Sequence, residues 1–146
     1  MKTFEIFAIV WLASIANSFW EAYVEGRKTM EEGKVGWKIR VWGDYYITGY
    51  HFFLFYVMWP LLLSLPLVIY GWDKRLFGIL VSAYFSGNVL EDFMWFAVNP
   101  VVSFSEFRSD FTDHYPWIKI GKTKIIPLFY VIGILISVLS WYFFWK

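Results

Sequence analysis

Apolar residues along this chain fall into four long segments separated by polar connections. The segments run over about 4–23, 46–70, 76–98 and 125–144. Each approaches or exceeds the roughly 20 residues that a helix needs to cross the hydrocarbon core of a membrane. We therefore predict an all-α fold, in which residues 1–146 form a single domain of four transmembrane helices in a bundle.

Two of these segments carry local signals that refine the prediction. Lys2 precedes the first apolar run, and Ser14-Ile15-Ala16 resembles a small-residue cleavage site, so a signal peptide is an alternative for this segment. We expect the segment to be retained as a span. The second segment contains Pro60 and Pro66, which predict a kink or tilt within one helix rather than two helices.

The two long polar connections carry most of the basic residues. Nine of the 13 Lys and Arg residues lie in 25–44 and 100–124, and the other four lie at the termini and in the turn at 73–75. An excess of Lys and Arg is typical of cytoplasmic loops. We therefore expect an integral, multi-pass protein with both long loops on the cytoplasmic side and both termini outside.

Acidic residues and histidines gather in the same half of the predicted bundle. Ten of the 12 acids and both histidines fall there. Glu91 and Asp92 would lie roughly 9–10 Å inside the end of the third helix, at a rise of about 1.5 Å per residue. An ionisable side chain at that depth costs about 3 kcal/mol unless it is compensated. The pair is therefore expected to face protein, water or a bound ion.

Helical spacing directs polar residues of three segments towards one recess. Residues three or four apart share a helix face. The set consists of Asn17, Glu21 and Glu25 in the first segment, Thr48, His51 and Phe55 in the second, Asn88, Glu91, Asp92, Trp95 and Asn99 in the third, and His114 in the loop after it. We predict that these residues form one polar pocket near the cytoplasmic face.

One interpretation of this pocket is acid–base catalysis on an apolar lipid or isoprenoid that enters from the bilayer. Two crowded carboxyls in a low dielectric compete to ionise, so either Glu91 or Asp92 can keep a proton and act as a general acid. Glu21 and His51 would complete the catalytic set by orienting the reacting groups. The expected substrate contacts are Asn17, Asn88, Trp95, Asn99 and Phe55, and Trp95 would stabilise developing positive charge by a cation–π contact.

Two other interpretations remain open. Carboxylates and imidazoles that project from several helices suit a divalent metal ion, the one cofactor that the pattern indicates. The protein would then bind metal or translocate ions, with ligands among Glu21, Glu25, His51, Glu91, Asp92 and His114. Alternatively, the chain is a non-catalytic membrane subunit, in a homo-oligomer or with a partner subunit whose cations pair with the buried acids.

Composition agrees with a membrane protein and excludes several other classes. Hydrophobic residues make up 59% of the chain and charged residues 17%, against about 25% charged in ordinary soluble domains. The net charge of +1 provides no basic field for nucleic acid. The absence of Cys removes disulfides and thiol chemistry. No phosphate-binding loop, serine-nucleophile elbow or zinc-protease helix motif is found. The expected partners are the bilayer and an apolar lipid.

The stretch around the acidic pair resembles a known family. Glu91-Asp92 is followed by the aromatic-rich sequence Phe93-Met94-Trp95-Phe96 near the end of a predicted helix. This is similar to the small membrane lycopene-cyclase domains, which carry Pro-x-Glu-Glu/Asp followed by aromatics in such a position. The matching residues here are Val89-Leu90-Glu91-Asp92, without the proline of the motif. The resemblance implies proton-initiated cyclisation of an isoprenoid, with the acidic pair as the proton donor.

Overall fold

The computed structural model describes residues 2–28, 35–42 and 45–146. It is mostly helical, at 71%, with four helices. These are α1 (Thr3–Glu25), α2 (Gly49–Tyr70), α3 (Lys74–Val98) and α4 (Leu128–Trp145). The helical class that the apolar segments predicted is therefore confirmed.

Three of the described helices, α1, α2 and α4, are long and apolar enough to cross a membrane, which indicates a membrane protein. The remaining helix, α3, is the longest of the four at 25 residues. It does not belong to this set, because it contains Lys74, Arg75, Glu91 and Asp92 together with several small polar residues. Four helices and three apolar candidate spans are thus confirmed, and the bundle of four spans stays a prediction.

Helix α3 packs between α1 and α4 through small residues. A Cβ atom added to Gly87 would lie 2.6 Å from Oγ of Ser14 on α1, so a larger residue there would force the Ser14 hydroxyl or the helices to shift. On the other side, Ser140 of α4 donates a hydrogen bond to the carbonyl of Gly78 at 2.9 Å, and Ser82 donates to the carbonyl of Ser137 at 2.8 Å. Small residues and interhelical hydroxyl bonds are typical of helices that pack within membranes.

Helix α2 packs much more loosely than the other three helices. None of its residues between Trp59 and Tyr70 is buried. It contacts α3 where the Tyr84 hydroxyl donates to the Phe55 carbonyl and where the rings of Trp59 and Tyr84 lie 6.4 Å apart. The helix runs as one segment, as predicted, and its first turns (Phe52–Met58) have the wider π-helical hydrogen bonding. A space therefore remains between α2 and the rest of the bundle.

Two β-hairpins correct the prediction of an all-α chain. Strand β1 (Lys38–Trp42) pairs with β2 (Tyr45–Thr48), and β3 (Trp117–Ile120) pairs with β4 (Thr123–Pro127), both antiparallel. Residues Lys38–Val41 of β1 alternate basic and apolar side chains, the period-two pattern of a strand. Because the second strand of each hairpin leads into a helix, α2 begins at Gly49 and α4 at Leu128, three residues later than the predicted segments.

Asn99 ends α3 and ties it to the end of α1. Its Oδ1 atom accepts hydrogen bonds from the backbone N–H groups of Val101 and Val102, both at 2.9 Å. Its Nδ2 atom donates to the carbonyl of Gly26 at 3.2 Å. The chain is thereby turned back over the end of the bundle where α1 ends and α3 ends.

The connection after α3 is held in place by two ion pairs. Arg27 binds Glu106 at 2.7 Å, and this hydrogen bond holds the pKa of Glu106 below its usual value of 4.5. Lys124 binds Asp113 at 2.8 Å, and this contact likewise lowers the pKa of Asp113. The connection includes short 3₁₀ turns at Phe104–Arg108 and Asp110–Thr112. It packs aromatic rings, including Phe107 and Phe111, on a small core of Ala22, Trp95, Phe96 and Val102.

Candidate functional site

A cavity of about 590 Å³ lies between α2, α3 and α4. Ligand sites in proteins commonly have volumes of roughly 300–1,000 Å³. Much of its wall is apolar and includes Leu63, Leu67, Leu80, Val81 and Ile132. The other part of the wall is strongly polar and includes Glu21, Glu25, His51, Glu91 and Asp92. One space therefore combines a hydrocarbon-like channel with a group of acids and an imidazole.

Glu21 and Glu25 lie on the buried face of α1, only 4% and 7% exposed. They meet His51 from the first turn of α2, and one ligand atom from each of the three residues lies within 4.8 Å of the others. His51 Nε2 is 3.3 Å from Glu25 Oε1. That oxygen and Glu21 Oε1 nevertheless have no hydrogen-bond partner among the described residues, because the His51 contact is not aligned as a hydrogen bond. We name these three residues the Glu–Glu–His cluster.

Thr48 fixes the orientation of the His51 ring. It is the N-cap residue of α2 and is fully buried. Its Oγ1 atom lies 2.6 Å from His51 Nδ1 and accepts a hydrogen bond from the His51 backbone N–H at 3.3 Å. Phe55, one turn further along α2, stacks on the imidazole with ring centroids 6.2 Å apart. The ring is thus held so that Nε2 faces α1.

Glu91 points from α3 towards α1 and is 4% exposed. Asn17 donates a hydrogen bond from Nδ2 to Glu91 Oε1 at 3.4 Å. The carboxyl groups of Glu91 and Glu21 are within hydrogen-bonding reach of each other. A hydrogen bond between two carboxyls requires a proton on one of them, because an ionised carboxylate only accepts. The pair is therefore suited to hold and release one proton.

Asp92 points away from Glu91 and is bound by two tyrosines. The Tyr115 hydroxyl donates to Oδ1 at 2.9 Å, and the Tyr130 hydroxyl donates to Oδ2 at 2.6 Å. Successive helix residues project about 100° apart, since 3.6 residues make one turn, so adjacent acids contact different neighbours. Burial and the nearby Asp92 carboxylate raise the pKa of Tyr115, which keeps its hydroxyl protonated as a donor.

Two buried polar groups near the cluster have no hydrogen-bond partner among the described residues, and one of them, the indole N–H of Trp95, belongs to the cavity wall. Trp95 lines the cavity and is 5% exposed, and its Nε1 atom has no hydrogen-bond partner among the described residues. The Tyr50 hydroxyl approaches the Glu21 carboxylate without the alignment of a hydrogen bond. The polar end of the cavity therefore offers both donors and acceptors to a bound molecule.

The structure brings together most of the residues that the sequence predicted for one pocket. Glu21, Glu25, His51, Glu91, Asp92, Asn88, Trp95, Phe55 and His114 all line the cavity. His114 is outside the Glu–Glu–His cluster, and burial lowers its pKa below the usual 6.5. Asn17 and Asn99, expected to contact the substrate, do not line the cavity, because their amides bind Glu91 and the α1–α3 junction instead.

Sequence reasoning missed three tyrosines that face the acids of this site: Tyr50, Tyr115 and Tyr130. Their positions follow from the way that α2, the loop after α3 and α4 pack around the acids. The chain contains 10 tyrosines, and many suit the interfacial belt of a membrane protein. No local signal separates the three from the others.

Fold and site together define a class of protein: a helical chain with three apolar candidate spans around a cavity that has buried acids at one end. Comparisons with protein-family models, curated proteins and solved structures find no match to this chain. Its likeness to the lycopene-cyclase domains therefore stays a prediction from the residues around Glu91.

Proposed function

We propose that this protein is a membrane-embedded enzyme that acts on an apolar lipid or isoprenoid by carboxylate acid–base chemistry. The proposal includes a bundle in which all four helices span the bilayer, with both termini outside and both hairpins on the cytoplasmic side. One observation carries it: the apolar channel and the buried acids line the same cavity. A substrate with a long apolar chain and a reactive end fits this combination.

The loose packing of α2 provides a path for such a substrate. Because its Trp59–Tyr70 part buries no residue against the bundle, the space beside it can open laterally to lipid. The tail would lie along Leu63 and Leu67 of α2 and face Leu80 of α3. Transfer of each buried CH₂ group from water to such a wall contributes about 0.8 kcal/mol. A substrate taken from the bilayer gains less from burial, so its polar or unsaturated end would determine which lipid binds.

In the proposed chemistry, Glu91 is the general acid and shares its proton with Glu21. Proton transfer to a carbon–carbon double bond leaves a carbocation, which Trp95 and the other aromatic walls stabilise by cation–π contact. The product forms when a proton returns from the substrate to the carboxylate pair, so an isomerisation or cyclisation needs no further reactant. Asp92, fixed by two tyrosines, supplies negative charge near the cation. This is the class of reaction that the lycopene-cyclase resemblance implies.

Expression in a host that makes isoprenoids tests the proposal. We expect lipid to co-purify with the wild-type protein and a new product to be found by mass spectrometry of host extracts. Glu91→Gln keeps the size and hydrogen bonding of the side chain but removes its acidic proton. It should retain the bound lipid and reduce product by at least about 100-fold, the usual contribution of a general acid. Glu5→Gln, at an exposed glutamate of α1, is the matched control.

The outcomes separate the alternatives. If folded Glu91→Gln protein gives the same lipid profile and product as the wild type, the acid–base proposal fails. If no lipid co-purifies and no product appears with the wild type, the chain is better described as a non-catalytic subunit.

Cysteine labelling tests the proposed orientation. The chain has no cysteine of its own, so the labelling of a single introduced cysteine can be detected without background. Lys122 lies in the exposed turn between β3 and β4. We expect Lys122→Cys to react with an impermeant maleimide only after the cells are permeabilised, and Lys2→Cys to react in intact cells. The reverse pattern would contradict the orientation.

A further inference from the structure

The closest contact within the Glu–Glu–His cluster matches the separation between two ligands of a metal ion. His51 Nε2 and Glu25 Oε1 are 3.3 Å apart, without the alignment of a hydrogen bond. Two atoms that bind Zn²⁺ tetrahedrally at about 2.1 Å lie about 3.4 Å from each other. The ligand atom of Glu21 lies within 4.8 Å of the other two, so it is near enough to join them as a third ligand once a bound ion draws its side chain in.

The surroundings of His51 favour a metal ion between His51 and Glu25 over a direct contact of the two side chains. Thr48 Oγ1, 2.6 Å from Nδ1, can accept a hydrogen bond from the Nδ1 proton. The lone pair of Nε2 then faces the Glu25 carboxylate, and the two acceptors repel unless a cation lies between them. Histidines that bind metals usually have their other ring nitrogen hydrogen-bonded in this way, which fixes the ring.

Two deeply buried carboxylate oxygens point to the same conclusion. Glu21 and Glu25 are more than nine-tenths buried, and Oε1 of each has no hydrogen-bond partner among the described residues. An unpaired carboxylate in a low dielectric is costly, so buried acids are normally paired or coordinate metals. Two carboxylates and a neutral imidazole carry a charge of −2, which a divalent cation balances.

We propose that Glu21, Glu25 and His51 bind one divalent first-row transition metal ion, whose remaining coordination position opens into the cavity. One imidazole with two carboxylates suits Zn²⁺, Fe²⁺ or Mn²⁺ better than the all-oxygen sites of Ca²⁺. Three protein ligands and one open position are the pattern of catalytic metal sites, where the ion polarises a substrate oxygen or activates water. The site goes beyond the proposed acid–base chemistry, because proton transfer by Glu91 does not require it.

Metal titration of the purified protein tests this site directly. The protein in detergent is stripped with a chelator and titrated with Co²⁺ as a spectroscopic probe, and then with Zn²⁺ in competition. We expect one ion per chain and a visible Co²⁺ spectrum of tetrahedral type. Glu25→Gln and His51→Gln should each weaken binding at least about 100-fold, and Thr48→Val about 10-fold through the ring orientation. Glu5→Gln, an exposed glutamate on the same helix, should bind as the wild type does.

Thermal unfolding gives a second measurement that does not depend on the spectrum. An ion that binds only the folded protein raises its unfolding midpoint. Zn²⁺ should therefore raise the midpoint of the wild type and of Glu5→Gln but not that of His51→Gln. The proposal is overturned if the wild type binds no stoichiometric metal, or if His51→Gln and Glu5→Gln bind Co²⁺ equally. In the first case, a protonated His51 paired with Glu25 accounts for the cluster.

The metal site and the proposed enzyme can fail separately. Glu91→Gln should keep its metal while losing product, because Glu91 is not one of the three ligands. Metal binding without any lipid conversion would support the metal site and contradict the proposed enzymatic function. Lipid conversion by a protein that binds no metal would do the opposite.

Discussion

The acids at the polar end of the cavity occupy two contrasting environments. Both carboxylate oxygens of Asp92 accept a hydrogen bond from a tyrosine, at 2.9 and 2.6 Å. Glu21 and Glu25, in the same cavity, each keep one oxygen without a hydrogen-bond partner among the described residues. The contrast indicates that one acid is held as part of the structure and that the other two are available to a ligand.

The helices that face each acid explain this difference. Asp92 lies where α3 meets α4 and the loop after α3, and these elements supply the phenols of Tyr130 and Tyr115. Glu21 and Glu25 face the start of α2, which brings His51 close to Glu25. Asp92 is thus fixed by two hydrogen-bond donors, while Glu21 and Glu25 each keep an acceptor oxygen that a ligand could use.

Removal of the Asp92 carboxylate should have the largest effect on stability. Asp92→Ala leaves the phenols of Tyr115 and Tyr130 without their acceptor, and a hydrogen bond to a charged group contributes about 1.5–3 kcal/mol. We therefore expect the free energy of unfolding to fall by about 3–5 kcal/mol, allowing for partial relaxation. Denaturation of the protein in micelles measures it. Asp110→Ala, at an exposed aspartate in a 3₁₀ turn, is the control, and an equal effect of both variants would contradict the structural role of Asp92.

Removal of one phenol at a time should have an intermediate effect. Tyr130→Phe and Tyr115→Phe each delete a single hydroxyl and leave Asp92 with one donor, so each should cost about 1.5 kcal/mol. The double variant leaves the half-buried Asp92 carboxylate without either tyrosine donor and should cost more than the sum of the two. The same unfolding assay measures the coupling. Strict additivity would show that the two tyrosines do not act on a shared acid.

Neutralisation of a cluster acid in metal-free protein should have a small effect. Glu21→Gln removes a buried charge whose Oε1 has no partner among the described residues, so the loss of desolvation cost offsets the lost contacts. We expect the free energy of unfolding in chelator to change by less than about 1 kcal/mol. A destabilisation as large as that of Asp92→Ala would show that the two environments are energetically alike.

The exposed ion pair at Glu106 should give the smallest effect, and it has a defined pH dependence. Arg27 holds the pKa of Glu106 below its usual 4.5, so the folded protein favours the ionised form. The resulting stabilisation is present above pH 4.5 and is lost as the pH falls through the lowered pKa. Arg27→Gln should therefore reduce the drop in unfolding midpoint between pH 7 and acid, and Arg75→Gln should not. Identical acid sensitivity of all three proteins would contradict the pairing.

The sequence alone predicted the helical class and several of the acids and the imidazole that line one cavity. The apolar segments predicted all four helices. A helix that crosses a membrane needs about 20 mostly apolar residues in a row, and such a run is visible in the sequence. Spacings of four in Asn17, Glu21 and Glu25 predicted one polar face of α1, and the cost of a buried charge singled out Glu91 and Asp92. The hairpins were missed, although the alternation in Lys38–Trp42 is the pattern of a strand.

Only the tertiary structure determined which of these side chains contact each other and which keep an atom without a partner. Periodicity assigns a residue to a face of its own helix but does not specify which neighbour will meet it. The pairing of Asp92 with Tyr115 and Tyr130, and the meeting of Glu25 with His51, join positions at least 23 residues apart. Such contacts depend on the rotation and crossing of packed helices, which are set by close packing at residues such as Gly87. The sequence thus supplies the acids, and the packing determines which are satisfied and which stay open.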